Sequence, residues 1–137
     1  MSTYEETSKI MSEVTRLRLI GMGRVTAFPI EDVSAMYNGT GPEFLPEKIR
    51  RKLDKIARPF LPAVMVHDVD FSLSDGTSRS FVIANQHLFW NCIRCALDAH
   101  PWTSWRRYAL IVEAFVMYRA CKRLGWIAWR LSYLSHK

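Results

Sequence analysis

The sequence predicts an all-α fold, a compact bundle of about five or six helices, and three observations carry that expectation. Apolar residues recur at helical spacing, with Ile10, Val14 and Leu17 on an early stripe and Leu88, Cys92 and Ala96 on a later one. Glycine and proline punctuate the chain between such stretches, at Gly21, Gly23, Pro29, Pro46, Pro59 and Pro101. The composition is 49% apolar and 23% charged over 137 residues, which suits one folded domain able to bury a core without disulfides.

In chain order, residues Thr3 to Met22 read as an amphipathic helix, with Glu5 and Glu6 favourably placed in its first turn and Gly21 and Gly23 at its end. Ile30 to Met36 reads as a brief helix after Pro29, and Tyr37-Asn38-Gly39-Thr40-Gly41-Pro42 as a loop. Pro46 to Ala57 reads as a helix with proline at its first position, buried along Ile49, Leu53 and Ile56 and otherwise charged. Pro59 breaks it, and a central helix follows from Leu61 to Leu73. Ser74-Asp75-Gly76-Thr77-Ser78 is a turn, as a loop or a short hairpin. Phe81 to Ala99 is the next helix and Pro101 to Leu134 the last, with Gly125 expected to bend or end it.

Charge is unevenly spread. The net charge is +6, and from Pro101 onward seven bases face Glu113 alone, so the last quarter carries the whole excess. Trp102, Trp105, Arg106, Arg107, Trp126, Trp129 and Arg130 are the candidate contact residues there. Aromatics beside arginine fit an anionic lipid surface, a protein partner, or a dimer interface built on the tryptophans. They also fit a nucleic-acid platform, although no DNA-binding motif accompanies them. A core of tryptophans covered by arginine is the structural reading of the same pattern. Three cysteines without a signal-peptide pattern suggest free thiols in a reducing, cytoplasmic setting. Cys92 and Cys95 lie in an apolar helical pattern and read as core thiols rather than a zinc or redox pair. The most apolar stretch, Tyr108 to Tyr118, contains Glu113 and is too short to span a membrane.

The richest stretch is Leu61 to Phe71. His67 and Asp68 end its apolar run, and Val64, His67, Asp68 and Phe71 share one helix face, so the pair points into whatever that helix packs against. Charges in such a place need a partner, a hydrogen-bond network or a metal. Asn85 stands on the apolar side of the next helix, where His67 on an antiparallel neighbour is a natural partner.

Together, the Tyr37-x-Gly39-x-Gly41 loop, the His67-Asp68-x-x-Phe71 helix and the facing Ala84-Asn85-x-x-Leu88-Phe89 helix resemble the phospholipase A2-like fold. The stretch from Leu61 to Trp129 is also similar to small proteins encoded by phages and prophages, whose function is unassigned. The first resemblance implies calcium held by the Asp68 carboxylate and the backbone carbonyls of Tyr37, Gly39 and Gly41. It implies His67 as general base in phospholipid ester hydrolysis, with Asn85 holding its tautomer. The chain departs from that family at Asn85, where an aspartate is usual, at Phe71, where a tyrosine is usual, and in lacking the disulfides of the secreted enzymes. An amide cannot stabilise an imidazolium as a carboxylate does. The alternative from another class is a non-catalytic phage accessory protein that binds a host or virion partner, with His67, Asp68 and Asn85 as a buried polar network. A metal-dependent His-Asp phosphohydrolase needs an upstream histidine, and His67 is the first. A serine nucleophile lacks a Gly-x-Ser-x-Gly elbow.

Overall fold

The computed structural model describes residues 3–37 and 46–135. Among them every regular element is helical, as expected: α1 (Tyr4–Arg16), α2 (Met22–Thr26), α3 (Ile30–Met36), α4 (Glu47–Ala57), α5 (Leu61–Ser72), α6 (Ser78–Ala99) and α7 (Trp105–Ser135). A 3-10 turn at Arg58–Phe60 carries the chain past Pro59 from α4 into α5. The brief helix expected over Ile30–Met36 is α3, and the one addition to the expected five or six helices is α2, of five residues.

Helix α1 begins in a reciprocal cap. The Thr3 hydroxyl accepts from the Glu6 amide at 3.2 Å, and the Thr3 amide donates to the Glu6 carboxylate at 3.3 Å. It ends at Arg16, well before the expected Met22. The Leu19 amide donates to the Val14 carbonyl and the Arg18 amide to that of Thr15, while Arg18 takes a left-handed φ of 51°. This is the Schellman arrangement, closed by buried Leu19 next to buried Val14. The missed end has a clear cause: arginine occupies the position that glycine usually marks. Gly21, at φ 96°, then turns the chain into α2. A Cβ there would lie 2.8 Å from Val66 Cγ1, so the position also needs the space.

Helix α5 is the centre. None of its residues is exposed, and it packs against α1, α2, α3, α6 and α7. Helices α5, α6 and α7 run up, down and up. His67 meets Asn85 and Phe71 meets Trp129, while Phe89 meets Tyr118 and Phe81 meets Trp126. The α5–α6 pair is therefore antiparallel, as expected. The most deeply buried side of α5 is Met65, Val66 and Val69, toward the N-terminal helices. The Val64–His67–Asp68–Phe71 face is the less buried one, with only His67 fully enclosed.

The turn between α5 and α6 is a loop, not a hairpin. Asp75 accepts from the Thr77 amide and from the Thr77 and Ser80 hydroxyls, and Thr77 caps α6 so that it starts at Ser78 rather than Phe81. Helix α7 continues through Gly125, which therefore does not end it. A Cβ at Gly125 would sit 3.3 Å from the Phe81 ring and 3.5 Å from that of Phe71, so this glycine permits close helix packing.

Two substitutions of opposite sign test these backbone assignments. Arg18→Gly removes a left-handed non-glycine residue and is expected to stabilise by about 0.5–1 kcal/mol. Gly21→Ala combines a positive φ with the Val66 contact and is expected to destabilise by about 1–3 kcal/mol. Urea denaturation checks both, and a destabilised Arg18→Gly would refute the helix ending described above.

Candidate functional site

The site begins with α5's polar residues, because a helix enclosed on all sides must give each of them a partner. Nε2 of His67 lies 2.9 Å from Oδ1 of Asn85, across the α5–α6 interface. A carbonyl oxygen can only accept, so the neutral ring donates through Nε2 and keeps its lone pair on Nδ1. The His67 ring also packs against Phe71, with centroids 4.6 Å apart. Burial holds the His67 pKa below its usual value; the Asn85 contact and the Asp70 charge oppose this more weakly. His67 is thus a neutral imidazole at physiological pH. The second amide atom, Nδ2 of Asn85, is buried without a hydrogen-bond partner among the described residues.

Asp70 is buried and held by Arg24 of α2 at 2.7 and 3.1 Å. The charge on α5 is therefore compensated by the short helix that the sequence hid. Nearby His87 has its Nδ1 buried without a hydrogen-bond partner among the described residues, and burial lowers its pKa too.

Asp68 is half-buried. Its charge reaches Tyr37, whose phenol is pushed up to about 12, first by burial and then by Asp68. It also reaches Cys121, pushed up to about 12 mainly by burial. Of the expected calcium loop, Tyr37 is thus within reach of the Asp68 charge, whereas Gly39 and Gly41 lie outside the described residues. Among the described residues, no three His, Cys, Asp or Glu side chains form a metal cluster. The oxygen donors that are described, the Asp68 carboxylate and the Tyr37 carbonyl, are of the hard kind calcium takes, but calcium needs six to eight. Cys92 and Cys95 are buried free thiols, Cys95 pushed up to about 11 by burial, as befits core residues.

The seven C-terminal contact candidates divide. Trp102 and Trp105 are 72% and 73% exposed, and Arg106 is exposed beside the Trp105 ring. The other four also make contacts within the fold, and of these Trp129 is buried while Arg130 stays exposed. Trp129 is 2% exposed, packs on Phe71 and Phe81, and donates from Nε1 to the Thr77 carbonyl. Trp126 packs on Phe81. Arg107 donates to the carbonyls of Leu97 and His100, satisfying the C-terminal end of α6. Arg130 donates to the Gly76 carbonyl at 2.7 Å.

Sequence reasoning missed an apolar face on α6 and α7. Trp105, Tyr108, Val112, Phe115 and Val116 are exposed and follow one another at helical steps along α7. Arg119 and Arg123 continue the same stripe, and the Arg119 guanidinium sits 5.9 Å from the Phe115 ring centroid. Exposed Trp90 of α6 joins this face through Phe89, whose ring centroid lies 5.2 Å from that of Trp90 and 6.4 Å from that of Phe115. The α7 spacing is visible in the sequence, where Val112, Phe115 and Val116 read as core and Trp105 as a contact residue. No helix among the described residues is long and apolar enough to cross a membrane.

A groove elsewhere, between α1, the start of α5 and the end of α6, is lined by Ile10, Leu17, Leu61 and Pro62 with Glu6 and Lys9 on its rim, and neither His67 nor Asn85 reaches it. Compared with protein-family models, curated proteins and solved structures, the chain has no match.

Burial of neutral His67 sets the sign of one pH dependence. Its folded pKa is lowered from the 6.5 that the unfolded chain retains, so the unfolded state binds the extra proton. The contribution of His67 to stability is complete above about pH 6.5 and is lost as pH falls toward the folded value. The melting temperature is expected to fall across this window, and His67→Gln to flatten the profile. A profile that rises toward acid would contradict a neutral buried ring.

Proposed function

We propose that this chain is an interaction protein that docks on its partner through the outer face of α6 and α7. The observation that carries the reading is the run of exposed large apolar side chains from Trp105 to Val116, continued into Trp90. Contiguous apolar surface of this kind marks binding sites on folded proteins. Contacts between the two helices brace the face: Phe89 against Tyr118, Cys92 against Met117 in the interior, and Arg107 on the α6 carboxyl end. It is thus presented on a rigid helix pair. On this reading His67, Asn85, Asp70 and Arg24 fix helix register.

The test is the variant Trp105→Ser/Val112→Ser/Phe115→Ser. Its melting temperature is expected to stay within a few degrees of wild type, since these side chains already meet solvent. In fractionated cells that produce it, the wild type is expected to travel with membranes or within a complex larger than the 15.9 kDa monomer. The variant is expected to run free. A wild type that also runs as a free monomer would sink the reading.

A second reading, a calcium-dependent phospholipid ester hydrolase of phospholipase A2-like type, is favoured by the His67–Asn85 contact and by the Asp68 charge that reaches Tyr37. With Nε2 committed to Asn85, His67 would present the lone pair of Nδ1 as base to a water. Asp68 and the Tyr37 carbonyl would hold the ion, which when bound supplies charge stabilisation for an ester oxyanion. Burial keeps the base unprotonated, but Asn85 offers no charge to an imidazolium. Calorimetric titration with calcium on wild type and Asp68→Ala checks it: heat and a raised melting temperature in the wild type, both lost in Asp68→Ala. No heat from folded wild type would end the calcium-dependent form of this reading.

A further inference from the structure

We infer that the occupant of the α6–α7 face is an anionic lipid surface; the inference rests on the docking reading above and names its partner. The argument is one of charge and shape together. The apolar part of the stripe, Trp105 to Val116, passes directly into Arg119 and Arg123, with exposed Arg106 and Lys122 along its edges. On all of α7 the only acid is Glu113. An apolar face beside lysine and arginine is the pattern of a surface that lies in the headgroup layer, its rings in the acyl boundary and its cations on the phosphates. The most exposed rings are Trp102 and Trp105, and tryptophan is the residue that settles at that depth. The Tyr108 hydroxyl donates to the Trp102 carbonyl at 2.7 Å, so the segment before α7 is tied to its first turn and both tryptophans are offered together.

A second copy of the chain fits this face less well. A two-fold dimer through it would place Arg106, Arg119, Lys122 and Arg123 near the same residues of the partner copy, and like charges would oppose the contact. An anionic plane meets them all with the favourable sign.

The test uses the full chain and two vesicle compositions, phosphatidylcholine alone and equimolar phosphatidylglycerol with phosphatidylcholine, in a sedimentation assay with tryptophan emission recorded in parallel. The expected result is binding to the anionic vesicles at least tenfold above the neutral ones, a blue shift in emission, and loss of binding in molar salt. Arg119→Glu/Arg123→Glu is expected to lower that binding by at least tenfold with an unchanged melting profile. Equal binding to both vesicles, or binding that survives both charge reversal and salt, overturns the inference. Absence of vesicle binding also overturns it, and the fractionation experiment then separates two cases. A chain held in a membrane-free complex through Trp105, Val112 and Phe115 keeps the docking reading and replaces lipid with protein. A chain that is monomeric everywhere loses both.

Discussion

The structure depends on the desolvation of α5. This helix carries His67, Asp68 and Asp70, yet no residue along it is exposed. A polar group in that position is tolerated only if the surrounding elements supply its partners. Two of the partners define the architecture. Asn85 reaches His67 from α6 and fixes the register of the α5–α6 pair. Arg24 reaches Asp70 from α2 and draws the N-terminal segment across the opposite side. The ion pair has one half-exposed partner, so Arg24 keeps part of its hydration while Asp70 gives up nearly all of its own. That asymmetry makes Arg24 the residue on which the buried carboxylate depends.

From α5 outward, the same logic of satisfying buried groups sets the C-terminal half. Trp129 and Arg130 both donate to the loop that joins α5 to α6, at the carbonyls of Thr77 and Gly76. The last part of α7 thereby closes over the start of α6, with Phe71, Phe81, Trp126 and Trp129 packed edge to face beneath it. At the other end Arg107 satisfies the last carbonyls of α6. With both ends of α7 clamped, the middle of the α6–α7 pair is held without needing any cover on its outer side. The exposed stripe from Trp105 to Val116 is the consequence.

The helical class, the central helix and its antiparallel neighbour were legible because they follow from periodicity and from one unmistakable constraint, polar residues set in an apolar run. The pairing of His67 with Asn85 was legible for the same reason: each is a polar residue on an otherwise apolar face, eighteen positions apart around a short turn. The Arg24–Asp70 pair was not. Arg24 lies in a five-residue helix between two glycines, too short for periodicity to register. The early end of α1 was hidden by Arg18 in a glycine's place. The C-terminal residues show a further limit. Trp102, Trp105, Trp126 and Trp129 are alike in sequence, yet two are exposed and Trp129 is fully buried. Composition marks such residues as important, while only the neighbours of each decide whether it serves the core or the surface.

The two readings of function make different demands on the same scaffold. Hydrolysis would require the His67 lone pair to meet water and substrate, and a carboxylate or other anion to stabilise the imidazolium when it forms. Here the group facing Nε2 is an amide, and the carboxylate whose charge acts on the ring, Asp70, is already paired with Arg24. Burial therefore favours the neutral ring at every stage, including the one at which a base must hold a proton. Docking asks only that the helix pair be rigid and its outer face uncovered, and both properties follow directly from the clamps on α7. A histidine whose basicity is lowered by burial and whose Nε2 is committed to an amide serves helix register better than proton transfer, and that physical preference favours the binding reading over the catalytic one.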